Sequence, residues 1–167
     1  AEAVVVGRPN PERFPDPEGD LRDLLAALEA EPRTLSAPHP LTGELLELRL
    51  HRQAAAGIVR TALYSAEQAA KLPMVLREAA SGRFGPLLSL GLQGAQGTIQ
   101  TLSLGLTLSV LCSEDQPRID TQEAHAVAEG TFLGSAEFDG WAYTCELWPK
   151  ADLPPGFDRL EPRDTPA

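Results

Sequence analysis

Apolar residues recur along this chain at two spacings, and the spacing divides it into elements. Leu21, Leu24, Leu25 and Leu28 return every three or four positions, the period of one helix face. With Asp20 as N-cap and Pro32 as a stop, they predict an amphipathic helix running to about Glu31. Leu46, Leu48 and Leu50 instead alternate with Glu47, Arg49 and His51, the period of a strand covered on one face. The turn cluster Pro38 to Gly43 precedes them, and Thr34 to Ala37 supplies a partner, so Thr34 to Leu50 reads as a β-hairpin. A lone hairpin is marginal in water, so this one must pack on the helices. The helical period returns with Ala55, Ile58, Val59, Ala62 and Leu63, for a helix from Gln53 to near Tyr64. Ser65 caps the next, Ala66 to Ala80, with Gln68 at the third position as in a capping box. Pro73 predicts a kink or break near Leu72, and Gly82 ends the helix. Later, Thr121 caps a helix over Gln122 to about Glu129. Phe138, Trp141, Ala142 and Cys145 define an aromatic-rich face over Ala136 to Leu147, closed by Trp148 and Pro149.

Between these lies Phe84 to Leu111, apolar or small nearly throughout, with no charge between Arg83 and Glu114. Its Leu-rich parts are expected to be helical and largely buried. Glycines 85, 91, 94, 97 and 105 interrupt it. Each costs about 1 kcal/mol in a helix interior, so close packing, a local break or the floor of a ligand site must account for them. A buried helix pair with a Gly-containing loop is the plain reading. The run ends abruptly in a charged patch, Cys112 to Arg118. Residues 1–19 read as an extended, Pro-rich lead-in after the Ala3 to Val6 run. Residues 20–150 read as one helical domain, and 151–167 as an extended tail. The expected fold class is mainly α with one β-hairpin.

Composition narrows the function. The 167 residues suit one domain. A net charge of −10 argues against nucleic acid as a partner, which calls for a basic face, and against an anionic membrane surface. No apolar run approaches the roughly 20 residues of a membrane span. Ala1 to Pro11 shows no basic stretch followed by an apolar core, so no signal peptide is read there. The chain contains no Gly-x-Ser-x-Gly elbow, no phosphate loop, no dinucleotide fingerprint and no His-Glu-x-x-His. It shows no complete catalytic set, and no cofactor is implied. Its two cysteines, Cys112 and Cys145, match no zinc or iron–sulfur spacing. They are either one disulfide, which belongs to an oxidising compartment, or two buried thiols. His39, His51 and His125 stand in unrelated contexts, and Glu123 and His125, two apart, do not share a helix face, so no metal site is expected.

Three stretches, taken in order, carry a resemblance. They are Gly105-Leu-Thr-Leu-Ser-Val-Leu-Cys-Ser-Glu-Asp115, then Gly130-Thr-Phe-Leu-Gly134, then Cys145-Glu-Leu-Trp-Pro149 followed by Leu153-Pro-Pro-Gly-Phe157. Together they resemble the cap of bacterial α/β-hydrolases of the prolyl and tripeptidyl aminopeptidase type (peptidase family S33). The turn Pro40-Leu-Thr-Gly-Glu44 and the junction Leu63-Tyr64-Ser65 resemble the start of that cap, so the likeness spans about Asp20 to Phe157. The family's nucleophile elbow precedes the cap and its catalytic aspartate and histidine follow it. The resemblance therefore implies a helical cap domain without catalytic residues of its own, partnered by an α/β-hydrolase core.

It also implies roles. In such aminopeptidases acidic cap residues hold the free α-ammonium of a peptide or small amine. Glu114 and Asp115 match the family's Glu-Asp pair, where a partly desolvated carboxylate makes a strong charge-assisted bond. The competing reading is a water-exposed pair at a helix end, one member neutralised by Arg118. Phe132 and Trp141, with Trp148, would line the apolar part of the pocket, or serve as core. Cys112 and Cys145 occupy the family's cysteine positions. Their pairing would tie the acidic segment to the last helix, in keeping with a secreted or periplasmic protein. Two other functions compete. One is a stand-alone module derived from such a cap, binding a peptide, an amine or a separate hydrolase subunit. The other is an acid–base site built on Glu114, Asp115 and His125.

Overall fold

The computed structural model describes residues 12–39, 42–101 and 103–157. It is mainly helical, with a single two-stranded antiparallel hairpin. Helix α1, Pro17–Ala30, starts earlier than its leucines suggest. Asp16, not Asp20, is the N-cap, its Oδ1 accepting from the Gly19 N–H at 2.8 Å. Pro17 takes the first helical position, where a missing N–H costs nothing. Asp20 is thereby carried one turn into the helix, where it is buried and paired with Arg77, Nη1 to Oδ1 3.1 Å. Residues 17–19 of the expected lead-in are thus helical and 12–13 form a turn, while 1–11 fall outside the described residues.

Strands β1, Arg33–Pro38, and β2, Leu45–Leu50, pair with Leu35 opposite Leu48 and Ala37 opposite Leu46. This register puts Leu35, Ala37, Leu46, Leu48 and Leu50 on one face. All but Leu46 belong to or pack against the main core, supplying the support that a lone hairpin lacks. Helix α2, Arg52–Ala62, follows at once. Helix α3, Ala66–Ala80, is capped by Ser65 as expected, Oγ accepting from the Gln68 N–H. It does not break at Pro73. The buried stripe Leu72, Val75, Leu76 and Ala79 spans the proline, and its burial outweighs the lost backbone bond. Gly82, at φ +84°, closes α3 in a Schellman motif: its N–H donates to Ala79 O and that of Arg83 to Glu78 O.

Helix α4, Gly85–Thr101, packs along α2 and α3. Gly91 and Gly94 serve close approach. A Cβ on Gly91 would stand 2.7 Å from Ile58 Cδ1, and one on Gly94 3.0 Å from Thr61 Cγ2. Together α1 to α4 and the hairpin form a main lobe around Leu24, Leu28, Leu50, Ala55, Val59, Leu76 and Leu87.

A small lobe follows. Helix α5 is Leu104–Val110, a π-helical turn covers Leu111–Asp115, and a 3₁₀ turn covers Gln116–Arg118. Helix α6 is Thr121–Ala128, capped by Asp120 and not by Thr121, its Oδ1 accepting from the Glu123 N–H at 2.9 Å. Helix α7 is Ala136–Leu147, as the spacing predicts. The second hydrophobic cluster sits here: Leu108, Cys112 and Cys145, flanked by Trp141 and Trp148. The expectation of burial up to Leu111 fails in this segment. Leu104 and Leu106 are 63% and 65% exposed, because only the Leu108 side of α5 meets α7. Beyond it, 151–154 form no regular element, 155–157 a turn, and 158–167 fall outside the described residues.

Candidate functional site

Cys112 and Cys145 form a disulfide, Cα–Cα 5.0 Å, with both residues wholly buried. It fastens the π-helical turn to α7. The turn closes with the Gln116 N–H donating to Leu111 O, an i→i+5 bond of the kind that recurs at functional sites. The same turn carries Ser113, Glu114 and Asp115, so the acidic pair is anchored two and three residues from a covalent bridge.

The segment after α7 wraps back over this turn. Trp148 Nε1 donates to Ser109 Oγ at 3.2 Å, and the Ala151 N–H donates to Ser113 Oγ at 3.0 Å. Between the two segments lies a cavity of about 400 Å³. Glu114 and Lys150 are its charged lining, Ser109 and Ser113 its hydroxyls, Val110 and Leu153 its apolar wall. Glu114 is half-buried there. Such a carboxylate suits an ammonium, in a chain whose net charge of −10 favours cations.

The four residues singled out from the sequence are not gathered in one place. Glu114 lines this cavity. Asp115 is its exposed neighbour and pairs with Arg118, Nη2 to Oδ1 3.3 Å. Trp141 packs against the disulfide cluster. Phe132 lies elsewhere, half-buried against the main core, and lines a different cleft beside α1. Lys150 and Ser109 are lining residues that sequence reasoning missed. Neither belongs to a motif, although Lys150 is one of only two lysines in the chain.

His125 does not join the acidic pair. Its Nε2 lies 2.7 Å from Asp139 Oδ1, and Ser135 Oγ donates to Asp139 Oδ2 at 2.8 Å. The serine and the histidine both bond the aspartate and do not bond each other, so the cluster lacks the nucleophile–base contact of a catalytic triad. The bonds from His125 and then Ser135 hold the Asp139 carboxyl below its ordinary value. Among the described residues no three or more His, Cys, Asp and Glu side chains are grouped to hold a metal ion, and no helix is long and apolar enough to cross a membrane.

Comparison of the chain with protein-family models, curated proteins and solved structures finds no match in any of the three.

Proposed function

We propose that this chain is the substrate-selecting cap of a serine aminopeptidase-like α/β-hydrolase, shaping the active-site entrance and recognising the substrate's free amino end. The observation that carries this reading is the position of Glu114. Its half-buried carboxylate faces a cavity from a π-helical turn that a disulfide holds in place. A carboxylate so anchored loses little conformational entropy on binding an ammonium. The chain itself binds and orients, and the nucleophile and its base come from the hydrolase core. The outward face of α5 supports the same reading. Leu106 and Val110 lie on the side opposite Leu108 and are exposed, 65% and 40%, which suits a surface that meets the core. The chain's disulfide suits an oxidising, secreted or periplasmic setting.

The test is an NMR titration of the ¹⁵N-labelled chain with alanyl-alanine amide and with its N-acetyl form. The free amine is expected to shift the amides of residues 113–115 and 150–151, and Glu114→Gln to abolish the shift. Equal shifts from the acetylated peptide, or none from either, overturn amine recognition at this site. An immunoblot of the source cells then separates a cap from a stand-alone binding module. A band far above 17.9 kDa is expected. One at 17.9 kDa transfers the reading to the stand-alone module.

A further inference from the structure

A cleft of about 610 Å³ lies between α1 and the bend at Gly130 to Phe132, well apart in sequence from the Glu114 cavity. Its volume falls in the range of small-molecule sites, roughly 300–1,000 Å³. Leu21, Leu25 and Phe132 line it with apolar surface. Its charged lining is Arg52, the first residue of α2, Glu29, in the last turn of α1, and nearer the start of α1 Glu18 and Arg22, the latter paired with Asp16.

The state of the Arg52 and Glu29 pair is the informative feature. The Arg52 side chain is only 25% exposed. Its Nη2 donates to Phe132 O at 3.1 Å, which holds the guanidinium in place. Its Nε lies 3.9 Å from Glu29 Oε2, near enough for attraction but too far for a hydrogen bond. A guanidinium has five N–H donors, and the one to Phe132 is the hydrogen bond it makes among the described residues. A fixed fork with free donors matches a carboxylate. A simple carboxylate would also meet Glu29, and a simple amine would meet Arg52. A molecule carrying both charges a few atoms apart satisfies both.

We propose that this cleft binds a free apolar α-amino acid, its carboxylate on Arg52, its ammonium on Glu29, and its side chain on Leu21, Leu25 and Phe132. The proposal does not depend on amine recognition at Glu114, because it uses none of that cavity's residues.

The test is a titration of the full chain with L-leucine, N-acetyl-leucine and leucine amide, followed by amide NMR shifts. Leucine is expected to shift the amides of residues 21–29, 52 and 130–132 saturably. Each capped compound, having lost one charge, is expected to bind at least about tenfold more weakly. Glu29→Gln, at an exposed position, is expected to weaken leucine about tenfold and to strengthen N-acetyl-leucine, whose lone carboxylate Glu29 repels. Arg52→Lys keeps the charge but loses the fork, and is expected to weaken leucine as well. Absence of a saturable shift, equal binding of all three compounds, or shifts confined to residues 113–115 overturns the proposal. The last outcome would leave the Glu114 reading standing.

Discussion

Cys112 and Cys145 are bonded across 33 residues of chain, and with Leu108 they are the buried residues of the small lobe's cluster. A core with so few apolar side chains cannot offset the entropy of ordering three helices. The lobe that carries Glu114 therefore depends on its covalent bridge. Replacing both cysteines with serine is expected to destabilise the small lobe by about 4 kcal/mol, the loop-closure value for a bridge of this span. Near-ultraviolet circular dichroism from Trp141 and Trp148 should be lost at a lower temperature than the far-ultraviolet signal of the main lobe. Coincident, unshifted transitions would show that the lobe stands without it.

Two helix glycines carry opposite predictions, one at the approach of α2 to α4 and one in α7. Gly91→Val forces a side chain onto Ile58, and is expected to cost about 1–3 kcal/mol. Trimming Ile58 to Ala in the same protein should recover part of that loss. A Cβ at Gly140, inside α7, would meet nothing within 4 Å, so Gly140→Ala should stabilise by up to about 1 kcal/mol. Urea midpoints of the three variants decide it.

Arg77, half-exposed on α3, ties to the buried Asp20 carboxylate of α1. Arg77 bonds Asp20 Oδ1, and Oδ2 has no hydrogen-bond partner among the described residues, so the carboxylate relies on this one partner. Arg77→Ala is expected to cost about 1–3 kcal/mol, by leaving that carboxylate unpaired. Asp20→Asn with Arg77→Ala should cost less than Arg77→Ala alone. A double variant that simply adds the two single losses would rule out the coupling.

Asp139 joins α6 to α7 through His125, and its folded value lies below the ordinary 3.8. A depressed carboxyl stabilises the fold fully above its ordinary value, and that contribution disappears as pH falls through the lower, folded one. The side chain is exposed, so the effect is small and local. A carboxyl NMR titration should give a midpoint below 3.8, rising on His125→Ala and less on Ser135→Ala. An unmoved midpoint in His125→Ala would discount the hydrogen bond as the cause.

The hairpin, the Ser65-capped helix and α7 are legible in the sequence because each is specified by local periods and a stop signal. Leu46, Leu48 and Leu50 can share a face only in a strand, and Phe138, Trp141 and Cys145 only in a helix. Caps are harder to read. Asp16 and Asp20, or Asp120 and Thr121, are comparable capping residues. Pro17 decides the first choice by opening a helix where its ring fits.

Periodicity and composition are enough to set the class of the fold, the order of its elements and an acidic segment beside a cysteine, because all of these are local properties of the chain. Long-range packing settled the rest. It split the apolar residues between two clusters, placed Glu114 and Phe132 on separate cavities, and stood Arg52 beside Glu29 as an ion pair without a hydrogen bond between them. These depend on which faces of distant elements meet. A period of three or four residues states that a face is apolar, but burial is non-directional and does not say which surface will cover it.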